Sequence, residues 1–355
     1  MQLYTNLKIF HYQDKLDSLP REAEQSTAPI HIRIKPTNIC NHNCSYCAYR
    51  ASDMQLGKDM VIKDKIPAKK MAEIVEDIIE MGVKAVTFSG GGEPFCYPHL
   101  AETAQALADG NVSIAALTNG SLLTGETAEI FAHKGTWIRI SMDGWDGPSY
   151  AKYRSVPEDE FNKVLKNIEN FKSLKGKCFL GANFIINKDN ADHVFEMGQR
   201  LKDLGVDSLK FSPCIVSNSG KENNDYHDPL FNKIKEQTQR VVADLSDADF
   251  EVFDSYHRSE VFFNKEYNWC PYQQMQPIIA ADQRIYSCHD KAYNLDSGVL
   301  GSIKDQRFKE FWFNDREKFF SIDPSRDCNH HCVANSKNML IHEYLEAAPD
   351  HLAFV

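Results

Sequence analysis

Short apolar runs alternate with amphipathic stripes along the first two thirds of the chain. Six runs rich in Val, Ile and Phe, bounded by Gly, Asn, Asp or Pro, read as strands at 31–35, 85–89, 112–117, 136–141, 179–186 and 207–212. Between them apolar residues recur at i, i+3, i+4 and i+7, the spacing of one helix face. Examples are Met71, Ile74, Val75, Ile78 and Ile79, then Phe161, Val164, Leu165 and Ile168, then Val194, Met197, Leu201 and Leu204. Six β/α units in succession predict an α/β fold, a parallel sheet or partial (β/α)6 TIM-like barrel, with chemistry at the C-terminal strand ends. The pattern then breaks. Residues 217–228 are rich in Ser, Asn, Gly and Asp and read as a loop; a helix is expected near 229–245, a hairpin over 277–288 and a helix near 308–320. The first 28 residues are polar and aperiodic, as in an N-terminal extension. The expected division is therefore 1–28 extension, 29–215 core, 216–265 linker with a helix, 266–335 Cys-rich domain and 336–355 tail.

Charge and composition narrow the function. A formal net charge of −10 argues against a nucleic-acid partner. No apolar run approaches the ~20 residues that cross a bilayer, and Met1 to Asn6 lack the basic-then-apolar pattern of a signal peptide. A soluble cytoplasmic protein without a membrane or nucleic-acid partner is expected. Ten cysteines change the picture, because grouped cysteines in a reducing compartment more often bind metal than pair. Seven fall in two groups: Cys40, Cys44 and Cys47, then Cys270, Cys288, Cys328 and Cys332. Cys96, Cys178 and Cys214 stand alone.

Cys40-Asn-His-Asn-Cys44-Ser-Tyr-Cys47 is a C-x3-C-x2-C loop directly after the first strand. Three thiolates can ligate three irons of a cubane and leave the fourth open to a chelating amine and carboxylate. A structural zinc wants four ligands and would have to borrow His42 or a remote residue. The loop resembles that of the radical S-adenosylmethionine (SAM) superfamily over residues 30–215, with Tyr46 at the aromatic position that lies near the adenine. One unit later Ser89-Gly90-Gly91-Gly92-Glu93-Pro94 is similar to the family's GGE(P) segment. The resemblance assigns Gly91, Gly92 and Glu93 to the methionyl amine: glycines allow close backbone approach and a carboxylate suits an ammonium. It also implies SAM contacts from Asn119 in Thr118-Asn119-Gly120, from Ser141 in Ser141-Met142-Asp143-Gly144, from Arg154 and from Asn183.

Four thiols, Cys270-x17-Cys288-x39-Cys328-x3-Cys332, can close a metal site completely, and zinc is a competent occupant. Their surroundings, a hairpin, Leu300-Gly301-Ser302-Ile303 and Glu310-Phe311-Trp312, resemble the SPASM/Twitch extensions of radical SAM enzymes. With no cysteine after Cys332, the shorter one-cluster Twitch type is implied. Molybdenum-cofactor GTP cyclases differ, with three auxiliary cysteines and a Gly-rich tail.

The resemblance implies two [4Fe–4S] clusters and SAM as cofactors and a flavodoxin or ferredoxin-type reductant. The 5′-deoxyadenosyl radical would abstract hydrogen from a small polar substrate such as a sugar or nucleotide sugar. A fully ligated auxiliary cluster suits accepting an electron, hence a net oxidation and an oxidoreductase. The alternatives are a ribosomal-peptide modifier, a redox-neutral epimerase with Cys214 as hydrogen donor, and a non-catalytic zinc-binding protein.

Overall fold

The computed structural model describes residues 4–50, 57–258, 265–328 and 330–354. The six expected strands form as β1 (His31–Ile34), β2 (Ala85–Phe88), β3 (Ser113–Thr118), β4 (Trp137–Ser141), β5 (Phe179–Ile186) and β6 (Ser208–Pro213). Neighbours in sequence are neighbours in space, and all are parallel. Parallel strands need crossovers; here these carry helices such as Ala68–Glu80, Asp159–Ser173 and Val194–Asp203. The stripes read from the sequence bury Met71, Ile74, Val75 and Ile78, then Phe161, Val164 and Ile168, then Val194, Met197 and Leu201. Leu165 and Leu204 are partly buried against the same core, and Ile79 lies at the edge, 36% exposed.

β1 and β4 alternate in burial along their whole length, since side chains on a pleated strand point to opposite faces. On β1, Ile32 and Ile34 are fully buried while His31 and Arg33 stay partly accessible. On β4, Ile138 and Ile140 pack inside while Trp137, Arg139 and Ser141 line a central cavity. One phase of each strand thus builds the core with the helices, and the other lines the interior of the barrel.

The sheet is larger than the sequence pattern indicates. β7 (Glu251–Asp254) adds in parallel to β6, inside the stretch read as linker. β8 (Ile278–Ile279) pairs in parallel with β1, and β9 (Arg284–Tyr286) and β10 (Val299–Ser302) follow antiparallel. One ten-stranded sheet, ordered β10-β9-β8-β1-β2-β3-β4-β5-β6-β7, therefore runs from the Cys-rich region through the core. The hairpin at 277–288 forms as expected, and its pairing with β1 brings the second cysteine group toward the first.

Three local readings are corrected. Residues 217–228 include a helix, Gly220–His227, started by the Ser219 side chain accepting from the Glu222 amide. The helix expected near 308–320 splits into Phe308–Phe313 and a 3-10 turn Arg316–Phe320, with Asp315 between them at φ +25. The N-terminal stretch is no loose extension. Leu16 and Leu19 are buried against Met275 and Ile341, each contributing about 2 kcal/mol. Buried Trp312 donates from Nε1 to the Thr27 carbonyl at 2.9 Å. Among the described residues no helix is long and apolar enough to cross a membrane.

Candidate active site

The loop 40–47 leaves β1 at its C-terminal end and is pinned by backbone bonds. Asn43 N–H donates to the Arg154 carbonyl at 3.0 Å and Ser45 N–H to the Tyr153 carbonyl at 2.9 Å. His42, the residue a zinc site would borrow, is 3% exposed and turns Nε2 toward Glu160 Oε1 at 3.4 Å. Cys40, Cys44 and Cys47 are partly exposed free thiols. Burial pushes Cys40 up to about 12 and raises Cys44 as well, so burial opposes the ionisation of both. Binding iron would release their protons and replace the lost solvation. Three thiols on one pinned loop fit a cluster with one open iron.

The glycine loop after β2 lies directly against the cysteine loop. Gly92 N–H donates to the Thr37 carbonyl at 3.1 Å and Glu93 N–H to the Ile39 carbonyl at 2.9 Å. A Cβ on Gly92 would lie 2.1 Å from the Ile39 carbonyl oxygen, and one on Gly91 would lie 2.3 Å from Asn38 Oδ1. Close approach is why glycine is needed here. Glu93, 3% exposed, spends its carboxylate internally: Oε1 accepts from Thr118 Oγ1 at 2.6 Å and Phe95 N at 3.1 Å, and Oε2 from Asn119 N at 2.7 Å. Asn119 is likewise engaged, donating from Nδ2 to Asn41 Oδ1 at 2.8 Å and accepting from Ser121. These two tie the loops after β1, β2 and β3 together. Gly92→Ala should leave the fold intact, push the two loops apart, and cut 5′-deoxyadenosine release from SAM by about 100-fold. Product chromatography beside circular dichroism checks this, and a folded variant with the parental rate sinks it.

A buried network lies on the other side of the cysteine loop. Asp143 Oδ2 accepts from both the Tyr46 hydroxyl and Arg154 Nη2, and Oδ1 accepts from Ile185 N at 3.3 Å. Arg154 is 3% exposed, with its guanidinium 5.3 Å from the Tyr150 ring. Arg154 is thus paired within the protein and lies off the cavity wall, whereas Tyr46 lines the cavity. Ser141 and Asn183 are register partners on β4 and β5, both on that wall, and Asn183 Oδ1 accepts from Ser212 Oγ at 2.9 Å.

The four later cysteines converge. Burial pushes the Cys288 thiol well up, and Asp290, Cys332, Cys328 and Cys270 add to it. Burial also raises Cys270, and takes Cys328 up to about 11. Asn338 Nδ2 donates to Cys270 Sγ at 3.2 Å. Cys288, Asp290 and His330 additionally present ligand atoms within 4.8 Å of one another. Asp290 and His330 stand outside the four-cysteine set read from the sequence.

Sequence reasoning missed the group between the two cysteine sets. Lys35, fully buried at the end of β1, donates to the Gly90 carbonyl at 2.6 Å and the Tyr49 hydroxyl at 2.5 Å, with His289 Nδ1 at 3.1 Å. Burial, and Arg33 second, pull its ammonium well down, and Asp290, Cys288 and Cys47 lie near enough to oppose this when ionised. A charged residue closing an apolar strand reads as a boundary, so only the pairing of β8 with β1 shows it as an internal link.

A cavity of 1380 Å³ runs down the barrel, lined by some of these residues and bordered by the sequence neighbours of others. Tyr46, Ser141, Asn183, Ser212, Cys214, His289 and Asp290 lie at its upper part, the C-terminal ends of the strands. Cys214 is 9% exposed, and burial, with Asp143 second, takes its thiol up to about 11. Cys178 is core and Cys96 does not line the cavity.

Comparison with known proteins agrees with this geometry. Residues 34–198 match the family described as Radical SAM superfamily. An AdoMet-dependent heme synthase from Methanosarcina barkeri is 23% identical over 56% of this chain and 55% of its own. A probable GTP 3′,8-cyclase from Saccharolobus islandicus is 24% identical over 59% of this chain and 65% of its own. An uncharacterized protein of Archaeoglobus fulgidus is 28% identical over 52% and 42%. The chain spans about half the length of the curated relatives it matches. Among solved structures, Streptococcus suis SuiB bound to its precursor peptide SuiA superposes with a TM-score of 0.64 at 15% identity, covering 98% of this chain and 80% of that one. A tagged anSMEcpe with bound AdoMet gives 0.59 at 18% identity, covering 89% and 93%. These superpositions are likenesses of fold.

Proposed function

We propose, from the premise that residues 34–198 belong to the radical SAM superfamily, that this chain is a SAM-cleaving oxidoreductase acting on a small polar substrate such as a sugar or nucleotide sugar. The observation that supports the reading is the cavity, lined by Tyr46, Ser141, Asn183 and Cys214 together with His289 and Asp290, the two residues after Cys288. Cys40, Cys44 and Cys47 would hold a [4Fe–4S] cluster, and Cys270, Cys288, Cys328 and Cys332 a second one. When bound, the first cluster and SAM supply a 5′-deoxyadenosyl radical able to take hydrogen from an unactivated C–H bond. The chain's part is to orient and shield. Gly91 and Gly92 let backbone approach the methionyl end, Glu93 and Asn119 fix the loops that do so, and Tyr46, Ser141 and Asn183 face the nucleoside. Arg154 acts through Asp143, which it holds against the Tyr46 hydroxyl. The auxiliary cluster would accept the substrate electron, and a flavodoxin or ferredoxin would reduce the first. The division at 29–215 and 266–335 then separates radical formation from electron exit, across one continuous sheet.

Cys214 favours a second reading. Its thiol lines the cavity with Ser141 and Asn183, where it could give a hydrogen atom to a substrate radical, leaving the substrate's oxidation state unchanged and a thiyl radical that an electron from the auxiliary cluster and a solvent proton would restore to the thiol. Product mass after turnover in heavy water decides between them. Oxidation gives a product two hydrogens lighter, with one SAM consumed per product and no solvent deuteron on carbon. A product one mass unit heavier than the substrate, carrying one solvent deuteron on carbon that is lost in Cys214→Ala, overturns the oxidation and makes Cys214 the donor.

A further inference from the structure

The interior phase of a parallel barrel is ordinarily apolar and packed, yet here three strands place a cation in it. Arg33 on β1, Arg139 on β4 and Lys210 on β6 all line the cavity, with Lys337 from the C-terminal helix Asn335–Leu345 and Lys8 from the N-terminal stretch at its lower end. The acidic groups on the same wall are Glu251, on the Lys8 side, and Asp290, at the upper part; His31, His289, His330, His331, Cys214, Tyr4, Tyr12, Tyr46 and Tyr272 are its other titratable lining. A chain with a net charge of −10 thus turns a positive face inward.

Arg33 lies near enough to Asp290 to pull its carboxyl down, whereas no carboxylate acts on Lys210, whose charged neighbours are all cations. The Nε atoms of Arg33 and Arg139 are buried without a hydrogen-bond partner. Arg139 donates to the Tyr4 hydroxyl at 3.0 Å and lies over the Tyr4 and Trp137 rings, and Lys210 lies 6.0 Å from the Phe253 ring. Among the described residues no ion pair joins Arg33, Arg139 or Lys210 to a carboxylate. They are also close enough to repel: burial, then Arg139, Lys337 and Arg33, pull Lys210 down to about 8. Like charges held together out of water are costly unless an anion completes them.

Their position says what that anion belongs to. Lys210 is the register partner of Asn183, and Asn183 that of Ser141. Arg139 lies two residues below Ser141 on the same strand face, roughly 7 Å. We infer that Arg33, Arg139 and Lys210 form a binding site for a multiply charged oxyanion of the substrate, a phosphoryl or diphosphoryl group or else a polycarboxylate, anchoring it beneath the nucleoside-facing residues. Guanidinium groups suit such oxygens because they donate in a fork. The inference deepens the proposed function, resting on its substrate cavity: it makes the sugar a phosphorylated one, held by its charged end so that a carbon reaches the radical.

The test uses anaerobically reconstituted protein loaded with SAM, so that the open iron is already taken. Inorganic pyrophosphate and citrate are the probes, titrated calorimetrically at matched ionic strength. Pyrophosphate should bind and raise Tm, as a ligand of the folded state does. Lys210→Met and Arg139→Gln should each weaken binding by about tenfold or more and, in the absence of anion, leave Tm unchanged or higher, since each relieves repulsion. Arg139→Lys should retain part of the affinity. Citrate binding in place of pyrophosphate supports the site and assigns a polycarboxylate. Failure of both probes, or parental affinity in Lys210→Met and Arg139→Gln, overturns it. That failure would leave 5′-deoxyadenosine formation intact, whereas failure of the radical reading would abolish it in the parent and leave anion binding untouched.

Discussion

Replacing Cys40, Cys44 and Cys47 together with alanine is expected to abolish 5′-deoxyadenosine release from SAM under strong reductant, with iron falling from about eight per chain to about four. The two readouts come from one premise: each cysteine group holds a cubane, and only the first has an open iron. The fold should survive the change. The loop is held by backbone bonds from Asn43 and Ser45 to the Arg154 and Tyr153 carbonyls, none of which needs a thiol. Removing three partly exposed thiols also costs the apoprotein little. Iron and 5′-deoxyadenosine are measured on the same anaerobic sample. A triple variant that cleaves SAM as fast as the parent ends the assignment of this loop. Four irons in the parent, with bound zinc, would keep the first cluster and remove the second.

What the sequence made legible follows from which signals are local. The cysteine loop, the glycine loop and β1 to β6 are each written in a single continuous stretch, and their register in the sheet follows from their order. β7 was missed because Glu251-Val-Phe-Asp254 carries no apolar run; all four residues are only partly buried. The helix Gly220–His227 reads as loop because its composition is largely polar, and the signal that marks it is Ser219 at the N-cap. Glu93, Asn119 and Arg154 were identified as residues near SAM by their motifs. That they spend their polar atoms on Thr118, Asn41 and Asp143 depends on three loops meeting, which no local pattern records. The inward cations are the clearest case. Arg33, Arg139 and Lys210 lie on three strands far apart in sequence, each between apolar neighbours. The available signal was a basic residue in the interior phase of a parallel strand, readable only once that phase is known.

Electrostatics inside the network around Asp143 can be separated from chemistry. Asp143 is fully buried and Arg154 nearly so, and Asp143 also takes hydrogen bonds from the Tyr46 hydroxyl and the Ile185 amide. Arg154→Met would leave that carboxylate without its counter-charge, and the expected destabilisation is about 3–5 kcal/mol, read from denaturant unfolding of the anaerobic holoprotein. Pairing it with Asp143→Leu removes both charges. Since a buried pair can be replaced by apolar side chains near neutrality, the double variant should recover much of the loss, short by what Tyr46 and Ile185 forfeit as donors, about 1 kcal/mol each. Catalysis should not recover. Tyr46 is the cavity-facing member of the network and lies between two cluster cysteines in sequence, so a stable double variant with a freed Tyr46 ring should still cleave SAM far more slowly than the parent. A single variant as stable as the parent would mean that Asp143 is not held by Arg154. A double variant that cleaves SAM at the parental rate would make the pair structural only, and Tyr46 would need another explanation for its place on the cavity wall.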